Sequence, residues 1–287
     1  MNTILESDLI INPDGSIYHL NLKPEDVADT IITVGDPDRV LEVSKHFDSI
    51  QLKKGKREFI THTGYLGDKR ITVLSTGIGT DNIDIVLNEL DALVNIDFAT
   101  RTLRKETKVL NIIRIGTSGA VQKDIPIGSI MVSEYALGLD SLMHYYEHKL
   151  SDDEQHLLKS VKSHFQHLKG ISPYITASDP ALLAKIGKGL VRGITLTAPG
   201  FYAPQGRFLR VKNSFPQLIR DISSFKDRDY RITNLEMETS GIYALSRVLG
   251  HKALSVNAIL ASRVSASFSH NPEKVISEAI QLVLSRL

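Results

Sequence analysis

The chain of 287 residues has no cysteine and no tryptophan, and this excludes disulfides, thiolate metal sites and thiolate nucleophiles. Charge of one sign is also lacking. Thirty-four basic residues against thirty-three acidic ones leave a formal net charge of +1, so there is no global field for nucleic acid or an anionic membrane. Any anion must therefore be held locally. No apolar run approaches the length of a membrane span, and the start, with Glu6 and Asp8, does not read as a signal peptide. These absences predict a soluble, cytoplasmic protein. Neither nucleotide fingerprint is complete: Gly-x-x-x-x-Gly-Lys-Ser/Thr is missing, and Thr76-Gly77-Ile78-Gly79 is half of a Gly-x-Gly-x-x-Gly. A nucleoside triphosphatase and a nicotinamide oxidoreductase are disfavoured accordingly.

What is present alternates between strand and helix. Thr30 to Val34 reads as a buried parallel strand, with Asp36 as N-cap and Pro37 at the first helical position of a helix to Phe47. Glu58 to Tyr65 and Arg70 to Ser75 read as a hairpin turning at Gly67-Asp68. Apolar residues from Ile83 to Val94 mark an amphipathic helix. Val109 to Ile115 reads as a strand ending in a small-residue turn, Gly116 to Ala120. Later strands fall at Ile127 to Ser133, Ile171 to Ala177, Gly193 to Thr197, Tyr230 to Leu235 and Ala253 to Leu260. Helices fall at Asp152 to Leu168, Pro216 to Phe225, Thr239 to Leu249 and Pro272 to Leu287, while Ala198 to Arg210 is too rich in glycine, proline and aromatics to be regular. No linker or repeat interrupts the pattern. It predicts one α/β domain over 1–287, a largely buried mixed sheet flanked by helices. The turn-rich arm of residues 1–24 has little periodicity and is expected at a subunit interface.

Three groups of residues can carry chemistry. Glu236 and Glu238 stand where a strand becomes a helix; acids two apart share a face in extended chain and can grip neighbouring hydroxyls. The alternative is that they complement the positive end of the helix. Strands followed by glycines carry Gly35 with Arg39, and Arg114 with Gly116, Thr117 and Gly119. Backbone amides and a planar guanidinium suit a small phosphate, with surface ion pairs as the alternative. Phe201-Tyr202-Ala203-Pro204-Gln205-Gly206-Arg207 offers an aromatic face, an amide and a guanidinium to a flat heterocycle, or is an ordinary loop with an aromatic plug.

Taken in order, Gly35 to Arg39, Arg57-Glu58-Phe59, Ser75 to Gly79, Arg114 to Gly119, Phe201 to Arg207 and Glu236-Met237-Glu238 resemble the motifs of the uridine phosphorylase branch of the hexameric nucleoside phosphorylases. The resemblance extends over most of the chain. It implies a pentosyltransferase that splits a nucleoside with inorganic phosphate as co-substrate and needs no cofactor or metal. By that likeness Gly35, Arg39, Arg114 and Thr117 hold phosphate, with Arg57 crossing a dimer interface. Met237 and Glu238 contact the ribose, Glu236 lies beside ribose and base, and His19 reaches the 5′-hydroxyl from a neighbouring subunit. Phe201, Gln205, Arg207 and Arg263 hold the base. The implied assembly is a homo-oligomer, with the dimer as active-site unit and a hexamer plausible.

Purine-cleaving relatives place an aspartate in the loop after the last core strand. Here Ala261-Ser262-Arg263 has no acid, which favours a pyrimidine. Pro204 stands where glycine is usual. Thr80-Asp81-Asn82 replaces the usual Gly-Pro-Ser, a departure from the interface cation site that relatives build from the equivalents of Glu58 and Ile78. The rival readings are a purine phosphorylase or a nucleosidase of the same fold, which would have lost the arginines, and a non-catalytic nucleoside-binding protein.

Overall fold

Continuous apolar runs bury on both faces, and in the computed structural model, which describes residues 3–287, they form the middle strands of mixed sheets. The chain falls into two compact units, one of the described residues to Ile113 with Leu249–Lys252, the other of Arg114–Val248 with Ala253–Leu287.

In the first unit β1 (Thr30–Val34) runs parallel to β4 (Lys69–Ser75), which continues antiparallel through β3 (Phe59–Leu66) to β2 (Ser49–Lys56). Helix α1 (Pro37–Ser44) starts as expected, Asp36 accepting from the Asp38 amide at 3.0 Å. Gly67 takes the left-handed conformation (φ 60°) that the β3–β4 turn requires. Helix α2 (Thr80–Asn95) buries Ile83, Leu87 and Leu90 and leads into a short hairpin of β5 (Ile96–Asp97) and β6 (Thr102–Leu103). The N-terminal arm is built into this unit: Ile17, Leu20 and Leu22 are buried, and Glu89 of α2 accepts from the amides of His19 and Leu20.

The second unit is organised on β8 (Ile130–Gly138), β10 (Val191–Thr197) and β12 (Tyr230–Glu236), which run parallel in that order. Antiparallel to them lie β13 (Lys252–Ser262) on β8 and the end of β7 (Asn111–Ala120) on β12; β9 (Tyr174–Ala177), β11 (Lys226–Asp227) and β14 (Ser267–Phe268) add short edges. Helices α3 (Asp152–His164) and α5 (Leu218–Ser224) bury Leu157, Val161 and Ile222 against strand residues such as Leu196 and Ile232. Helix α4 (Pro180–Ile186) is capped by Asp179, and α7 (Pro272–Arg286) closes the chain. Helix α6 (Thr239–Val248) is buried along most of its length, and Gly250 follows it in the left-handed conformation (φ 81°).

One expectation is corrected. Gly116 to Ala120 is not a turn: β7 runs straight through it, with Gly119 opposite Leu235 and Ala120 opposite Asn234. The glycine answers a different need. A Cβ at position 116 would lie 1.6 Å from Nη1 and 2.2 Å from Cζ of Arg114, so only glycine lets that guanidinium fold back along its own strand.

Candidate active site

Arg114 is 4% exposed, a position that an arginine tolerates only when paired and fully hydrogen-bonded. Its Nη2 lies 2.6 Å from Glu238 Oε2 and 3.0 Å from Glu236 Oε2, and its Nη1 donates to Asn257 Oδ1 at 3.2 Å. Burial alone would lower its pKa. The charges of Glu236 and Glu238 outweigh that, and the guanidinium is held above its ordinary value.

Glu236 and Glu238 share a setting but divide the work. Glu236 Oε2 accepts from the backbone amides of Glu238 and Thr239, each at 2.9 Å, and so satisfies the first free N–H groups of α6. Its Oε1 accepts from Thr197 Oγ1 at 2.7 Å, and that oxygen in turn accepts from the Ser240 amide at 2.9 Å. The helix-end reading therefore holds for Glu236, which also fixes Arg114. Glu238 turns its carboxylate to Arg114, and Met237 between them is partly exposed. Thr197 was not among the expected residues. Its signal lay in register, since it stands opposite Glu236 at the ends of parallel β10 and β12.

A second cluster lies in the irregular segment after β10. The short turn Ala203–Gln205 ends at Gly206 (φ 66°), where a Cβ would strike Ile219 at 2.7 Å. This folding brings Arg207 over Phe201, Cζ 3.6 Å from the ring centroid, a cation–π contact on a ring that is 49% exposed. Arg207 also donates to the Phe201 carbonyl at 2.7 Å and to Gln205 Oε1. Gln205 is buried, its carbonyl accepting from Arg263 Nη2 at 3.2 Å. Burial, then the Arg263 charge, lowers the Arg207 pKa to about 10, and burial lowers that of Arg263. Pro204 packs beside Gly200, where a Cβ would lie 3.1 Å from its Cγ. The Gln205 amide keeps its two N–H donors, and its oxygen, with a second lone pair, can still accept.

Of the remaining expected residues, Gly35, Arg39, Arg57 and His19 lie in the first unit and Thr117 in the second. Gly35 and Arg39 flank the start of α1 and are partly exposed. Arg57 is exposed at the β2–β3 turn with φ 57°, a conformation uncommon outside glycine, while Glu58 is held by Asn82 at 3.2 Å. His19 Nδ1 meets Glu89 Oε1 at 2.6 Å. Thr117 is partly exposed on β7. Among the described residues no group of His, Asp or Glu could hold a metal ion, and no helix is long and apolar enough to cross a membrane.

A buried arginine on β7 thus meets a carboxylate at the end of β12 and another at the start of α6, and a separate loop offers an amide, a guanidinium and an aromatic face. The chain belongs to the phosphorylase superfamily, whose family model matches residues 29–286. Uridine phosphorylase of Thermococcus kodakarensis is 30% identical over 274 residues, 94% of this chain and 87% of that relative. Uridine phosphorylase of Haemophilus influenzae is 27% identical over 92% of this chain and 96% of its own. The crystal structure of a Trypanosoma brucei nucleoside phosphorylase, described as showing uridine phosphorylase activity, superposes with a TM-score of 0.88 at 30% identity, covering 98% of this chain and 99% of that one.

Proposed function

We propose that this protein catalyses the reversible phosphorolysis of uridine to uracil and ribose 1-phosphate. The observation that carries the reading is Arg114, buried, hydrogen-bonded to Glu238 and ion-paired with Glu236. Inorganic phosphate is the co-substrate, and no cofactor takes part. A phosphate oxygen attacks C1′ of the ribose while the bond from C1′ to N1 of uracil breaks with its electron pair on the base. The ribosyl centre is oxocarbenium-like, and the neighbouring phosphate dianion both stabilises it and forms the new bond. No protein nucleophile is needed.

Phosphate is bound by Arg114 and Thr117, with Gly35, Arg39 and Arg57 as further ligands. Glu238 accepts from the 2′ and 3′ hydroxyls, and Met237 packs on the sugar. Glu236, whose oxygens already serve α6, Thr197 and Arg114, lies beside ribose and base as the fixed point of the group. Negative charge develops on the carbonyl oxygens of the leaving uracil, where Arg207 and the Gln205 amide donate, with Arg263 behind them and Phe201 against the ring. His19 supplies the 5′-hydroxyl contact and Arg57 its phosphate contact from a neighbouring subunit, so the reading includes a dimeric active unit within a cytoplasmic homo-oligomer.

Ultraviolet detection of free base from uridine, thymidine and inosine, with and without phosphate, tests the reading. Phosphate-dependent uracil release supports it. Release without phosphate makes the protein a hydrolase, and cleavage of inosine alone overturns the choice of base.

A further inference from the structure

Ser255 and Asn257 interrupt an otherwise apolar strand, two residues apart and hence on one face of β13. Both are fully buried, and both meet Arg114: Nη1 donates to Asn257 Oδ1 at 3.2 Å and to Ser255 Oγ at 3.4 Å. Nη2 donates to Glu238 Oε2 and is ion-paired with Glu236 at 3.0 Å, so three hydrogen bonds and one further ion pair hold the two Nη atoms. Among the described residues no hydrogen bond engages the Nε–H.

The chemistry of these partners fixes their orientation. A guanidinium only donates, so the side-chain oxygen of Asn257 must face Arg114 and its amide nitrogen must face away. That nitrogen donates to Ser133 Oγ at 2.9 Å, so the Ser133 hydroxyl is an acceptor there and donates onward to Thr195 Oγ1. Thr195 donates to Asn234 Oδ1 at 2.9 Å, and Asn234 Nδ2 donates to Ser118 Oγ at 2.9 Å. Every member of this chain is buried, and its direction is set from Arg114 outward. An asparagine satisfies both ends. A leucine would take from Arg114 Nη1 its shorter bond and from Ser133 Oγ its donor, and an aspartate would add a third carboxylate beside one guanidinium.

We infer that Asn257 is a positioning residue that pins Nη1 of Arg114 and thereby aims the Nε–H at the phosphate. The inference rests on the phosphorolysis reading for the identity of the anion. With both Nη atoms tied, the guanidinium plane is held and the Nε–H has a fixed direction. Removal of Asn257 leaves Nη1 with only the longer bond to Ser255, at 3.4 Å, while Glu236 and Glu238 still hold Nη2.

The experiment measures binding of inorganic phosphate and, separately, of uridine by calorimetry in the full chain, alongside thermal melts. Asn257→Ala is expected to weaken phosphate about tenfold, the scale of a displaced binding group, and to change uridine affinity less than twofold. In an Arg114→Lys background, which has no fork to pin, the same substitution is expected to change phosphate affinity less than twofold. An equal loss in both backgrounds, or a lower melting temperature with phosphate affinity intact, overturns the inference. Asn257→Asp keeps the volume and the acceptor, and its added charge is expected to weaken phosphate at least as far; phosphate binding like the wild type in that variant contradicts the account. Because the readout is binding, failure of the two ideas is separable. Absence of uracil release with the coupling intact removes only the proposed reaction, whereas uracil release with no coupling removes only the role of Asn257.

Discussion

Arg114 and Arg207 belong to the same unit, and their surroundings push them in opposite directions. Arg114 is enclosed by groups that the fold supplies: two carboxylates, an asparagine, and a glycine whose missing side chain makes the space. Its charge is reinforced by its neighbours. Arg207 rests on an exposed ring in an irregular loop, and burial together with a second arginine weakens its hold on the proton. One arginine is anchored before any substrate arrives, and the other is held by contacts that a heterocycle could replace. A reaction whose nucleophile is the same small ion for every substrate gains from the first kind of site. In the proposed reaction, recognition of the base falls to the second.

Loss of Arg114 is the most severe way to test this contrast. Arg114→Ala strands two buried carboxylates, and removing one partner of such a group costs about 3–5 kcal/mol. Urea unfolding should show that loss, and turnover should fall by at least about 100-fold, as expected when a preorganised charge is removed. Gly116→Ala comes next. Its Cβ would displace the guanidinium, so a loss of about 1–3 kcal/mol, typical of overpacking, should accompany weaker phosphate binding, and the two together locate the damage. A Gly116→Ala variant with unchanged phosphate affinity would show that Arg114 need not fold back.

Arg207→Ala should behave differently. Turnover of uridine is expected to fall about 100-fold, the effect of one lost oxyanion-type donor, with a melting temperature close to that of the parent. The pH dependence is the mildest test. Because Arg207 is depressed to about 10, it is cationic at pH 8 and loses its proton as pH rises through that value. The rate constant kcat/KM for uridine should therefore decline toward pH 10, and Arg207→Gln should remove that component of the decline. Phosphate binding should carry no contribution from Arg114 in the same range, since its pKa is raised.

The parts of this site that follow local rules are readable in the sequence. Asp36 and Pro37 announce α1, the Gly67-Asp68 turn joins β3 to β4, and Ala198 to Arg210 is irregular for the reason its composition gives. Strand β2 is not readable in this way. Its lysines and mostly exposed face carry no apolar period, and only pairing with β3 defines it. Gly116 misleads because a glycine needed for close approach is indistinguishable in sequence from one needed for a turn. Thr197 and Asn257 act through partners 39 and 143 residues away, so their roles become visible only when strands are paired. Asn257 did leave a local trace, as a polar residue within an apolar strand.

The central claim is that Arg114 is a phosphate-binding group in a uridine-cleaving enzyme. Uracil release from uridine, followed by ultraviolet absorbance at increasing phosphate for the wild type and for Arg114→Lys, tests it most directly. The account predicts saturable dependence on phosphate in the wild type, with the phosphate KM raised at least about tenfold and the uridine KM little changed in the variant, as a flexible ammonium replaces a guanidinium held in one orientation. Uracil release that ignores phosphate, or a variant with an unaltered phosphate KM, would contradict it.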